Sequence, residues 1–331
     1  MRDGIHVVRL GGIHSMWLRT FLFYQSRGRG RFDVVVAEGF GGSRIPRMTP
    51  LYVREPIITE WHQVHRDLFA VQYPKLMNGP LNLLERITAR VHRDTLVRAG
   101  TDEVRHDFLQ IGFKNVFVVP VSIREDWLSS PSPMPRPAAA GKQVLWLGKL
   151  RRYKCPDHLV RAMAEVVEHE RSARLVLAIR RDDTKYEEEL RRLVGELNLQ
   201  GHVEFRINVS EEEKRDLFRS SQVVVVPSVV EGFGIVVLEA NACGVPVVAS
   251  SGVPEGAVRD GFNGLRYPFG DTHALAEAIV RLLDDSTLYA RLSQNALTNI
   301  ERFRWSRVGV EFERAVIQAG ASRQPDRVAQ S

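Results

Sequence analysis

Short apolar runs recur through the second half of the chain at Val144–Leu147, Leu175–Ile179, Val203–Phe205, Val223–Val226, Val247–Ala249 and Leu265–Tyr267. Four of the six are apolar throughout rather than alternating, the pattern of strands buried on both faces of a parallel sheet, while Val203–Phe205 and Leu265–Tyr267 each hold one charged residue at the centre. Between and after them, helices are expected at Pro156–His169, Thr184–Leu197, Glu211–Arg219, Ile235–Cys243, Thr272–Leu283, Thr287–Arg302 and Ser306–Gln318. The first third shows the same alternation less cleanly. Strands are expected at His6–Leu10, Asp33–Ala37, Glu55–Trp61, Leu96–Thr101 and Val116–Val121, and helices at Ser15–Gln25, Leu81–Arg98 and Asp102–Ile111. Strands alternating with helices predict doubly wound α/β architecture.

One stretch interrupts the pattern. Ser129–Gly141, SSPSPMPRPAAAG, alternates prolines with small residues, so neither helix nor sheet persists there. It divides the chain into an expected first domain (1–128), a linker (129–142) and a second domain (143–303). A last helix (304–320) and a polar tail (321–331) follow.

Composition is ordinary for a globular protein, with 44% hydrophobic and 26% charged residues. Cys155 and Cys243 cannot build a disulfide framework, which fits a reducing cytoplasm. No apolar run is long enough to span a membrane, and the opening MRDGIHVVRLGG lacks a secretory segment. The formal charge is +6, and all of the excess lies within residues 1–120, including Arg27, Arg29, Arg31, Arg86, Arg90, Arg93 and Arg98. A solvated surface and a peripheral contact with the anionic inner face of a membrane both fit this excess. No nucleic-acid module accompanies it, so no nucleic-acid partner is expected.

The chemistry concentrates in VVVVPSVVEGFGIVVLEANACGVPV, a strand, a turn from Pro227 to Gly234, a helix and a second strand. Glu231 lies in the turn. Glu239 lies one turn below Ile235 and Val236, on a helix otherwise apolar or small. A carboxylate on a packed face needs donors, which a salt bridge, solvent or the paired hydroxyls of a ribose could supply. Gly232-Phe233-Gly234 brings bare backbone amides to a helix N-terminus, a site suited to phosphate. Phosphate, ribose and a second polyol together describe a nucleotide sugar.

The run EGFGIVVLEANACGVPVVAS resembles the donor-binding signature of retaining glycosyltransferases of family 4, whose two glutamates are separated by seven residues. The resemblance implies a GT-B fold, two Rossmann-like domains facing each other across a cleft. It also implies a hexosyltransferase drawing on a nucleotide-sugar co-substrate, with a sugar, glycan or lipid-linked acceptor, in glycan or cell-envelope polysaccharide synthesis. On this reading Glu239 takes the ribose hydroxyls and Glu231 the sugar hydroxyls. Backbone around Gly232, Phe233, Gly234, Ile235 and Val236 holds sugar and phosphate. In LWLGKLRRYKCPDHLVRAM, Gly148 borders the donor while Lys149 and Lys154 stand where the family clasps the pyrophosphate; plain surface charge is the alternative for both lysines. Cys155 replaces a usual glycine. Ile207 falls in the segment expected to border the base. His62 occupies the place of a histidine that approaches the transferred sugar, with a purely structural role as the alternative.

The resemblance implies no metal, and the scattered histidines and lack of an Asp-x-Asp turn agree. The family's first strand, Gly-Gly loop and first helix have no counterpart before Met1, so a first domain incomplete at its start is expected. A non-catalytic nucleotide-sugar-binding protein or a related epimerase would share the same fold.

Overall fold

A computed structural model of the chain describes residues 4–9, 11–12, 15–40, 46–128, 142–180 and 182–321. Most of the expected linker and all but one residue of the tail lie outside them. The N-terminal part carries α1 (Met16–Phe23), β1 (Val35–Glu38), β2 (Ile57–Glu60), α2 (Arg66–Gln72), α3 (Lys75–Val91), β3 (Leu96–Ala99), α4 (Asp102–Ile111), β4 (Asn115–Val118) and the short α5 (Glu125–Leu128). Its four strands form a parallel sheet in the order β1-β2-β3-β4.

The C-terminal part carries β5 (Gln143–Lys149), α6 (Pro156–His169), β6 (Arg174–Arg180), α7 (Thr184–Glu196), β7 (Val203–Ile207), α8 (Glu211–Ser220) and β8 (Val223–Val226). It continues with α9 (Ile235–Ala242), β9 (Val247–Ser250), β10 (Gly264–Tyr267), α10 (Thr272–Asp284), α11 (Ser286–Ile300) and α12 (Trp305–Ala321). Six parallel strands run β10-β9-β8-β5-β6-β7. Because strand side chains alternate, Val144 and Trp146 of β5 join one core cluster under α6, α7 and α10, while Leu145 joins the other beside α9. β8 feeds both clusters with two valines each. Each of those fully buried side chains contributes roughly 1.5–2 kcal/mol.

Helix starts follow local capping. Asp183, Asp271 and Asp285 accept from the third amide of α7, α10 and α11, and Ser210 with Glu213 forms a capping box on α8. α6 begins differently. Cys155 caps it in the left-handed region at φ 45°, ψ 46°, where glycine carries no Cβ penalty. The glycine usual at this place in the family therefore has a backbone reason. Burial, aided by the nearby Asp157 charge, pushes the Cys155 thiol up to about 12, so it is protonated at neutral pH.

Two expectations in the N-terminal part need correction, and one helix there was not expected. Residues 6–9 belong to neither sheet: Val7 and Val8, 45% and 41% exposed, face no partner strand. α3 starts at Lys75 rather than Leu81 and ends at Val91, with Pro80 inside it. The carbonyl that Pro80 leaves unpaired belongs to Leu76, which is 90% exposed, so water can satisfy it. α2, not anticipated, buries only Phe69.

The two sheets are tied directly. Ile123 donates its amide to the Phe303 carbonyl at 2.9 Å, and Gly256 donates to Glu103 Oε1 at 3.3 Å. α12 returns over the first sheet, where Phe312 meets Phe117 (6.5 Å between ring centres) and lies under the Arg98 guanidinium (5.9 Å).

Candidate active site

Between the sheets lies a cavity of about 400 Å³. From the C-terminal side it is lined by the exit of β5 (Gly148 and Lys149), by Tyr153 and Lys154, by Ser228, and by the turn and helix start from Glu231 to Val236. From the N-terminal side come Glu60 to Gln63 at the exit of β2, and Arg98 and Gly100 at the exit of β3. Carboxyl ends of parallel strands leave such crevices because the chain turns away there in opposite directions.

The seam between the two sides is made by glycines. A Cβ on Gly232 would stand 2.4 Å from the His62 carbonyl oxygen, and one on Gly100 would stand 3.5 Å from the Gly232 carbonyl oxygen. His62 thus meets the donor-side turn through its backbone, while its side chain is exposed to the cavity. Gly234 caps α9 at φ 90°, which turns the first amides of that helix toward the cavity.

Inside the cavity Lys154 Nζ donates to Glu231 Oε1 at 2.5 Å, and Ser228 Oγ donates to the same oxygen at 2.6 Å. Burial pushes the Lys154 ammonium down, but the facing Glu231 and Tyr153 outweigh it, so the lysine stays charged. Lys149, at the end of β5, is exposed and has no ion-pair partner among the described residues. The two lysines therefore differ: one is pinned to the turn glutamate, the other is available.

Glu239 and Ile207 stand outside this lining. Glu239 is buried on α9, and its Oε1 is held by Lys214 of α8. Burial pushes the Glu239 carboxyl up, and Lys214 opposes the shift without cancelling it. The salt bridge anticipated as one alternative for this carboxylate is thus present. Ile207, half-buried, closes β7.

Several residues of the site were not singled out from the sequence. Ser228 and Tyr153 are two, lying in loops whose paths only the fold defines. Arg98 is another. Counted with the basic surface, its guanidinium is instead fixed by Glu60 Oε2 at 2.9 Å and by the carbonyls of Val119 (2.8 Å) and Pro120 (2.6 Å). Lys214, within the expected helix Glu211–Arg219, is a fourth: it lies four residues before the fully buried Phe218, on the stripe facing the core.

Residues 136–298 match the family model described as glycosyl transferases group 1. That stretch is just under half of the chain. Over 170 residues the chain is 36% identical to D-inositol 3-phosphate glycosyltransferase 2 of Catenulispora acidiphila, covering 49% of this chain and 40% of that protein. Over 190 residues it is 31% identical to D-inositol 3-phosphate glycosyltransferase of Corynebacterium aurimucosum, covering 56% of this chain and 45% of that one. These matches span less than half of the relatives' own length. Among solved structures, sucrose-phosphate synthase from Thermosynechococcus elongatus superposes with a TM-score of 0.78 at 22% identity, over 94% of this chain and 78% of that one. Anabaena Alr3699/HepE, in complex with UDP and glucose, superposes with a TM-score of 0.74 at 19% identity, over 92% and 81%. The fold is GT-B.

Within the group 1 domain fall Lys149, Lys154, Glu231, Lys214 and Glu239; His62, Arg98 and Gly100 come from outside it. Among the described residues no three His, Cys, Asp or Glu side chains are grouped to hold a metal ion, and no helix is long and apolar enough to cross a membrane.

Proposed function

We propose that the cavity binds a nucleoside diphosphate sugar and that the protein moves its hexose to an acceptor hydroxyl with retention of anomeric configuration. One juxtaposition carries this reading: Lys154, the exposed Lys149 and the amides at the start of α9 open into one cavity, with Glu231 between them. Cations and oriented amides suit a diphosphate whose charge grows as the sugar leaves. Lys149 and Lys154 neutralise that charge. Glu231 and the backbone from Gly232 to Gly234 take sugar hydroxyls, with Ile235 and Val236 at the distal phosphate. Glu239 takes the ribose, and Gly148 and Ile207 flank the nucleoside.

In the transfer step the bond from the anomeric carbon to the phosphate oxygen breaks. The acceptor oxygen bonds that carbon on the same face, and its proton passes to the leaving phosphate. No enzymic nucleophile is required. His62 donates to a sugar hydroxyl and so orients the donor. The match of residues 136–298 to the group 1 family model supports the assignment, as does the UDP-bound neighbour of the same fold.

A second cavity, of about 300 Å³, adjoins the first and shares His62, Gln63, Lys149 and Tyr153 with it. We assign it to the acceptor, since the half-buried Tyr73 offers an aromatic ring, and His62 and Gln63 polar groups, to a sugar or polyol ring. The curated relatives are named for an inositol phosphate, an acceptor of that kind. For a lipid-linked acceptor the exposed Trp17, Leu18 and Leu22 on α1, with Arg27, Arg29 and Arg31 beyond it, support a peripheral contact with an anionic bilayer.

The test is transfer itself, with UDP-, GDP- and ADP-hexoses and a panel of soluble polyols and lipid-linked acceptors in anionic vesicles. NMR of the product should show the donor's own anomeric configuration, and the protein should sediment with anionic but not neutral vesicles. An inverted product would sink the mechanism, and equal sedimentation with both vesicles would sink the membrane contact.

A further inference from the structure

Glu239 sits in a polar island inside an otherwise apolar layer. β8 and β9, packed against α9, bring it no ionisable side chain. α11 carries Tyr289 and the exposed Arg291. α8 supplies Lys214, whose side chain is 16% exposed against 8% for Glu239. The Lys214 ammonium lies 5.3 Å from the centre of the Trp127 ring, and the Arg215 guanidinium lies 5.4 Å from it. Trp127 is itself fixed edge-on to Phe218 at 5.5 Å. Arg215 is occupied by Asp126 at 2.5 Å, and Arg124, also paired with Asp126, approaches Glu211 at 3.7 Å. Glu125 of α5 pairs with Arg304 at 3.2 Å. Lys214 is thus the one cation the described structure delivers onto the Glu239 carboxylate.

From this geometry we infer that Lys214 is a positioning residue for the nucleotide: seated on Trp127, it holds Glu239 ionised and aimed, so that the carboxylate can accept two ribose hydroxyls. The inference rests on the donor-site reading given above. A carboxylate offers about four acceptor positions. Lys214 takes one on Oε1, and Oε2 has no hydrogen-bond partner among the described residues. The lysine and a cis-diol can therefore share the group without displacement. Without the lysine, burial and the Glu211 charge push the carboxyl up with only the weaker pull of Arg124 against them, so it takes up a proton at higher pH and becomes a weaker acceptor.

The test is affinity as a function of pH, with the tightest binder among UDP, GDP and ADP as probe. It compares the parent protein with Lys214→Met, Lys214→Gln, Lys214→Arg and Glu239→Gln. Lys214→Met and Lys214→Gln should lose about tenfold in affinity near neutral pH, a charged hydrogen bond's worth. They should recover toward alkaline pH as Glu239 ionises, whereas Lys214→Arg, which keeps the charge, should stay near the parent at every pH. A loss that does not vary with pH, or no loss in either neutral variant while Glu239→Gln binds weakly, overturns the role of Lys214. Parental affinity in Glu239→Gln, or no nucleotide bound by the parent, overturns the donor-site reading instead.

Discussion

Gly232→Ala is expected to lower turnover by about a hundredfold or more, the loss that follows from displacing reacting groups by an ångström. The added methyl would lie 2.4 Å from the His62 carbonyl oxygen and 3.1 Å from its carbonyl carbon. Both neighbours are backbone, so no rotamer change relieves the clash. Either the Glu231–Gly234 turn shifts or the two sheets separate, and each outcome moves the donor-side amides away from His62. The C-terminal sheet does not depend on this contact, because its core clusters are built from its own strands and helices. Circular dichroism should therefore report a folded protein while kcat/KM for the donor falls. Parental kcat/KM in this variant would show that the seam does not set the geometry of the site.

Lys154→Met is the second large effect. Its amine is held to Glu231 at 2.5 Å, with side chains 21% and 9% exposed. Removing one partner of such a pair leaves a poorly solvated carboxylate and costs about 3 kcal/mol of stability. Ser228 still donates to Glu231 and limits the loss. Removing a cation aimed at the departing diphosphate lowers kcat by about a hundred- to a thousandfold. Single-turnover kinetics at saturating donor, well below the variant's unfolding midpoint, separate the two effects. A destabilised variant with unchanged kcat would make Lys154 a structural counter-ion of Glu231 and leave the exposed Lys149 alone to meet the phosphates.

The C-terminal elements were legible because each signal had one physical meaning there. A strand such as Val223–Val226, buried on both faces, must be an unbroken apolar run. The N-terminal part was less legible. Pro80 reads as a breaker although an exposed carbonyl makes it tolerable, and α2 has a single buried residue to announce it. For the site, the turn from Glu231 to Gly234 was readable because its amides and acid lie together in the chain. The Lys154–Glu231 pair spans 77 positions and Lys214–Glu239 spans 25, and both depend on which strands become neighbours. Local periodicity cannot say that α8 lies beside α9. It only says that Lys214 shares a face with Phe218.

Thermal unfolding in the presence of UDP, GDP, ADP and their hexose conjugates, on the parent and on Glu239→Gln, tests the central claim most directly. A ligand at one hundred times its dissociation constant stabilises the state it binds by about 2.7 kcal/mol. The account predicts that one nucleotide raises the parental midpoint and that Glu239→Gln loses most of that response. A folded parent whose midpoint no nucleotide moves, or a variant that responds as the parent does, would contradict it.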